Sequence, residues 1–120
     1  MDLRWPLRIV EERRGRVLVL ALAGRISAAS AVQLKTALGA AIGRGESRLV
    51  LDLTEIDYIS SAGLNVLAAA AGGCADAGGA LVLCGLMDAV RIALDLGGML
   101  DDIPTAGSRD HAVLSIAGYS

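Results

Sequence analysis

With 120 residues, 54% of them hydrophobic, and a formal charge of −2, the chain can bury a core of its own without disulfides or metals, and its charge balance favours no polyanionic partner. One Trp, two Tyr and no Phe leave the core aliphatic and supply no aromatic platforms for bases, which argues against single-stranded nucleic-acid binding. The one basic concentration, Arg8, Arg13, Arg14 and Arg16, falls at a turn and reads as a solvated face, not a phosphate footprint.

In chain order, residues 7–12 and 17–23 flank Arg13, Arg14 and Gly15, a pattern that predicts a hairpin and an antiparallel start to the sheet. After Gly24, Ser27 and Ser30 are candidate caps for a helix whose apolar positions Ala31, Leu34, Leu38, Ala41 and Ile42 recur at steps of three and four. Gly43 and Gly45 end it. A buried strand is expected over residues 49–53, with turn chemistry at Asp57 and Ser60, then a helix over residues 61–77 closed by Gly78 and Gly79, and a strand over 80–84. This is a βαβ unit, so the strands on either side of the Ser61 helix should be parallel.

A third helix over residues 87–96 stops at Gly97 and Gly98, a short edge strand is expected over 99–104, and a last helix over 108–117. The fold class is α/β: one domain over residues 1–120, with a mixed sheet of four to five strands and about four helices mainly on one side. Met1 is followed by Asp2 and Arg4 with no apolar stretch behind them, so no secretory leader is expected. The apolar run 17–22 is far short of the roughly 20 residues a membrane span needs, and a soluble cytoplasmic protein is the expectation.

Several chemistries can be tested against the residues. Ser61 stands where a strand gives way to a helix, as in a nucleophile elbow, but Ile59 replaces the first glycine of that pattern although Gly63 supplies the second. The single histidine, His111, lies with Asp110 in the final helix and reads as a surface residue, so a serine hydrolase is poorly supported. Gly72, Gly73, Gly78 and Gly79 come late in a helix and after it, without the lysine of a phosphate-binding loop. Asp52, Glu55 and Asp57 have the spacing of a solvated loop at a strand end. Cys74 and Cys84 match no zinc or redox spacing and read as buried, inert thiols. No metal and no cofactor is expected.

Phosphorylation suits Ser61 better. At a helix start, free amides and the positive end of the dipole favour an added phosphate, whereas the plain alternative is that Ser60 or Ser61 is only the N-cap. Placing Leu64, Leu67, Ala71 and Cys74 inward puts Ser61, Asn65, Ala68, Gly72 and Asp76 on the other side, an almost uncharged stripe of small side chains suited to docking.

The segment LDLTEIDYISSAGLNVL resembles the STAS domain, shared by bacterial anti-sigma factor antagonists and the cytoplasmic tails of sulfate transporters. LALAGRISAASAVQLKTAL is similar to that family's second strand and first helix, and GGALVLCGLMDAVRIALDLGGM to its later strand, helix and glycine stop. The antagonist motif is aspartate, serine, serine or alanine, glycine, leucine; here Ser60 takes the aspartate position and Ser61, Ala62, Gly63 and Leu64 follow. The resemblance implies that Ser61 is a phospho-acceptor, with Ser60 as the alternate. Together with the outward stripe, this gives an expected partner surface of Ser27, Asp57, Ser60, Ser61, Asn65, Ala68 and Gly72. The partner that the resemblance implies is an anti-sigma factor with serine kinase activity, which holds the ATP site, and a serine phosphatase resets the cycle. No direct nucleic-acid contact is expected, and the protein should be a monomer or weak dimer. The alternatives are a constitutively docking STAS subunit of a lipid-transport or signalling complex and, from a different class, the small serine hydrolase.

Overall fold

The computed structural model describes residues 7–117, so Met1 to Arg4, on which the expectation about a leader rests, lie outside the described residues. Strands β1 (Arg8–Arg14) and β2 (Val17–Ile26) form the expected hairpin around Gly15, whose φ of 64° is the left-handed conformation glycine adopts without strain. Helix α1 (Ala28–Gly43) leads to β3 (Arg48–Ile59), and α2 (Ser61–Asp76) to β4 (Ala80–Cys84). Then come α3 (Asp88–Leu96), a single 3-10 turn (Met99–Asp101), β5 (Thr105–Ala106) and α4 (Arg109–Ala117). The strands lie in the order β1-β2-β3-β4-β5; β1 is antiparallel to β2, and the other neighbours are parallel. The mixed sheet of five strands with four helices is as expected from the sequence.

Alternation along each strand divides the sheet by side-chain size. Leu18, Leu20 and Leu22 of β2, Leu49, Leu51 and Leu53 of β3, and Leu81 and Leu83 of β4 join Leu34, Leu38, Leu67, Val90 and Leu94 in one core under α1, α2 and α3. Val17, Val19, Val50, Val82 and Cys84 face the other way and meet Ala112, Val113 and Ile116 of α4. Helices are therefore mainly on one side. Among the described residues no helix is long and apolar enough to cross a membrane.

Two expectations need correction. The strand foreseen over residues 49–53 runs on to Ile59, so Asp52, Glu55 and Asp57 belong to a strand and not to a loop. Beyond Leu53 the buried positions are Ile56 and Ile59, three apart, because pairing with β2 shifts register between Ala21 and Ala23 and again between Gly24 and Ile26. A bulged strand loses the two-residue period by which strands are recognised. The edge strand foreseen over residues 99–104 is instead the 3-10 turn, entered through Gly98 at φ 73° and closed by the Ile103 amide donating to the Met99 carbonyl at 2.9 Å. Met99 and Leu100 pack against the core from that turn. Strand pairing is left to Thr105 and Ala106, beside Leu83 and Cys84.

Candidate functional site

The joint between β3 and α2 is fixed by backbone. Ile26 and Ile59 are register partners at the ends of β2 and β3, and the Ser60 amide donates to the Ile26 carbonyl at 2.8 Å. Ser60, extended at φ −82° and ψ 167°, is the N-cap of α2: its Oγ accepts from the Gly63 amide at 3.1 Å, and its carbonyl accepts from Leu64 at 3.0 Å. Side-chain oxygens at this position satisfy amides that the first turn of a helix leaves free. Gly63 is there because the turn presses on the strand ends. A Cβ on Gly63 would lie 2.6 Å from Ile26 Cγ2 and 2.8 Å from Ile59 Cγ1.

One strand over, Ser27 caps α1 in the same way, with a reciprocal pair in which the Ser30 amide donates to Ser27 Oγ at 3.2 Å and the Ser27 amide to Ser30 Oγ at 2.8 Å. The Ser30 hydroxyl also donates to the Arg25 carbonyl at 2.7 Å. Since β2 and β3 are parallel and end level, the Ser27 and Ser60 caps are neighbours on one edge of the sheet. Asp57 is exposed on that edge, 3.9 Å from Arg25 Nε, and the Arg25 guanidinium lies 4.8 Å from the centre of the Tyr58 ring.

Ser61 is the first residue of α2 and is exposed, with no hydrogen bond to its hydroxyl among the described residues. Asn65, Ala68 and Gly72 follow it along an exposed face, and the inward positions are Gly63, Leu67, Ala70 and Cys74. The inward line differs at two positions from the sequence expectation, since Gly63 and Ala70 are buried whereas Leu64 and Ala71 are only half-buried; the outward line is unchanged. Among the described residues nothing lies within 4 Å of a Cβ placed on Gly72, so none of them gives this glycine, unlike Gly63, a packing reason.

His111 sits exposed on α4, which packs against the valine side of the sheet, opposite the side that carries α2. The structure does not bring it to Ser61. Glu55 is exposed, and among the described residues no three side chains are arranged to hold a metal ion. Both thiols are buried, and burial pushes each up to about 11, well away from a reactive thiolate at neutral pH.

Asp52 is what the sequence reading missed. It is 8% exposed in β3 on the α4 side, and one carboxylate oxygen accepts from Arg109 Nε at 2.9 Å and Arg109 Nη2 at 2.8 Å. The other oxygen accepts from the Thr54 amide at 3.0 Å and from the Thr54 hydroxyl. Burial alone would raise the Asp52 pKa, but the two Thr54 donors and then Arg109 outweigh it and hold the carboxyl below the ordinary range. Arg109 Nη1 also donates to Glu12 at 3.1 Å, and Arg14 Nη2 to Asp110 at 2.8 Å, so the hairpin and α4 are tied together around this carboxylate. The signal was available: an aspartate inside the apolar run LVLDL must find a partner or cost several kcal/mol.

A family model described as the STAS domain matches residues 8–112. The chain is 39% identical over 106 residues to BtrV of Bordetella bronchiseptica, which carries the name of an anti-sigma factor antagonist, covering 88% of this chain and 91% of that protein. Among solved structures, an anti-sigma factor antagonist from Mycobacterium paratuberculosis superimposes with a TM-score of 0.83 at 22% identity, covering 98% of this chain and 99% of the other. The phosphorylated form of SpoIIAA from Bacillus gives a TM-score of 0.71 at 15% identity, covering 90% of this chain and 98% of that one. At those identities the superpositions establish the fold.

Proposed function

The chain belongs to the STAS domain family, and from that premise we propose that it is an anti-sigma factor antagonist working by partner switching in the cytoplasm. Unphosphorylated, it binds an anti-sigma factor with a serine kinase fold and an ATP site, which frees the sigma factor. Transfer of phosphate to Ser61 ends the complex, and a serine phosphatase restores it. The chain itself acts as a monomer or weak dimer and brings no cofactor.

The observation that carries this reading is the division of labour between the two serines. The Ser60 hydroxyl is occupied in capping α2, whereas Ser61 presents its hydroxyl on the exposed face that continues through Asn65, Ala68 and Gly72. Phosphate on Ser61 adds about −1.5 to −2 charges. The α2 terminus tolerates them, because the amides ahead of Gly63 and the positive end of the dipole lie beside it and no acidic residue occupies the first turn. A partner closed over the same face must bury that dianion, at a cost of several kcal/mol without a matching cation. Ser27 and Asp57, on the same sheet edge, form the rim of the contact.

Intact-mass analysis and calorimetry with the kinase partner, with and without ATP, test the assignment. Ser61→Ala should bind and take no phosphate, Ser61→Asp should bind at least about tenfold more weakly, and Ser60→Ala should still be phosphorylated, at a reduced rate. Phosphate that persists in Ser61→Ala and disappears in Ser60→Ala moves the acceptor to Ser60. Binding indifferent to ATP and to both substitutions makes the domain a constitutive dock.

A further inference from the structure

Between α1 and α2, beside the Ser61 face, runs a groove of about 310 Å³ lined by Lys35, Leu38, Ile42, Asn65, Val66 and Ala70. Its surroundings are almost free of charge. The 16 residues of α1 contain one charged side chain, Lys35, and the 16 of α2 contain one, Asp76 in the final position. Exposed helix faces normally carry several charges of both signs. Elsewhere on α1 Val32 is 65% exposed, and Gly39, on the groove wall, has nothing among the described residues within 4 Å of an added Cβ, although glycine weakens a helix relative to alanine. Packing among the described residues accounts for neither. Lys35, the chain's single lysine, forms no ion pair among the described residues.

We propose that this groove is the specificity pocket of the partner interface, seating an apolar side chain of the anti-sigma kinase with an adjacent carboxylate paired to Lys35; the proposal rests on the partner-switching reading above. Charge complementarity selects the occupant. A lone cation in an uncharged surface lowers the desolvation cost of one anion set against it and repels a second cation, so a segment of the form apolar residue next to Asp or Glu is accepted and its neutral or basic counterparts are not. A second copy of this chain presenting the same two helices offers a carboxylate only at Asp76, on the last residue of α2, and so does not supply the pair in the middle of the groove. The open volume at Gly39 and Ala69 admits a branched or aromatic side chain, and Asn65 places an amide on the same rim one helical turn after Ser61. A phosphate on Ser61 thereby comes to the end of the surface that attracts a carboxylate.

The test uses the full chain and the purified anti-sigma kinase that phosphorylates it, with binding by calorimetry at two salt concentrations. Lys35→Glu should weaken binding by at least about tenfold, and Lys35→Gln by less while flattening the salt dependence. Gly39→Leu, which fills the groove from an exposed helix position, should weaken it comparably, with all three melting like the parent. Parent-like binding by Lys35→Glu and Gly39→Leu, with Ser61 phosphorylation still controlling the complex, overturns the groove and leaves the proposed function standing. A kinase that neither binds nor phosphorylates the parent overturns both. A stable dimer of the parent that Lys35→Glu dissociates also overturns the proposal, since the groove then belongs to a second copy.

Discussion

On one side of the sheet, eight leucines from β2, β3 and β4 meet three helices; on the other, Val17, Val19, Val50 and Val82 meet only α4. The first side is held by apolar volume alone. The second is thinner, and it contains a buried carboxylate, Asp52, held by the Thr54 donors of its own strand and by Arg109, which α4 delivers to it. The proposed partner surface lies on the helices of the leucine side. Acid and salt act on ion pairs far more than on aliphatic contacts, so they should loosen α4 while leaving the Ser61 joint in place.

The largest effect should come from the leucine side. Leu51→Ala leaves a cavity among fully buried leucines and should cost about 4 kcal/mol, whereas Val50→Ala, one residue along and facing α4, should cost about 2 kcal/mol by denaturant unfolding. Equal costs would erase the distinction between the two sides.

Asp52→Ala leaves Arg109 with only Glu12 and should cost about 3 kcal/mol. Because the folded Asp52 pKa lies below its unfolded value near ~4, its contribution is complete above that value and is lost as pH falls through the folded one. Asp52→Asn should therefore flatten the acid limb of urea midpoints measured from pH 7 to pH 2. Glu46 and Asp110, held down by Arg13 and Arg14, are the same in both proteins, so the difference isolates Asp52. The cysteines report which side opens, since Cys84 faces α4 and Cys74 is on the inward face of α2. In Asp52→Ala, thiol labelling read by mass should reach Cys84 before Cys74, and the reverse order would place the weak side wrongly.

Much of this was legible in the sequence. The hairpin, the two serine caps, the parallel strands around the Ser61 helix and the outward line Ser61, Asn65, Ala68 and Gly72 all follow from short-range patterns, and short-range patterns survive into the fold when turns and helix starts carry their own chemistry. The reading failed where a residue's role depends on a distant one. Asp52 reads as loop chemistry because its partner Arg109 is 57 residues away, and the end of β3 is hidden because bulges opposite Ala21 to Ile26 erase its alternation.

Gly63→Ala tests the joint itself. The added methyl runs into Ile26 and Ile59, which are stiff at their branch points, and the net cost should be about 1 to 2 kcal/mol after the gain in helix propensity. The smallest change in stability is expected for Ala68→Arg, below about 0.5 kcal/mol on an exposed helix position. That substitution should nonetheless weaken the partner complex by about tenfold, or roughly 1.4 kcal/mol. Thermal melting beside calorimetry separates the outcomes: unfolding would put Ala68 in the core, and unchanged binding would move the partner to another face.

The ion pairs at Arg109 also set a timetable for the nascent chain. Glu12 waits 97 residues for its partner and Asp52 waits 57. At about 10 residues per second, Asp52 spends about 6 seconds of synthesis without its arginine. All three helices of the leucine side precede α4 in the chain, so that side has all its helices before the valine side has its one. The valines stay bare until the last helix arrives, and in that interval they are the surface a chaperone or a neighbouring nascent chain would meet.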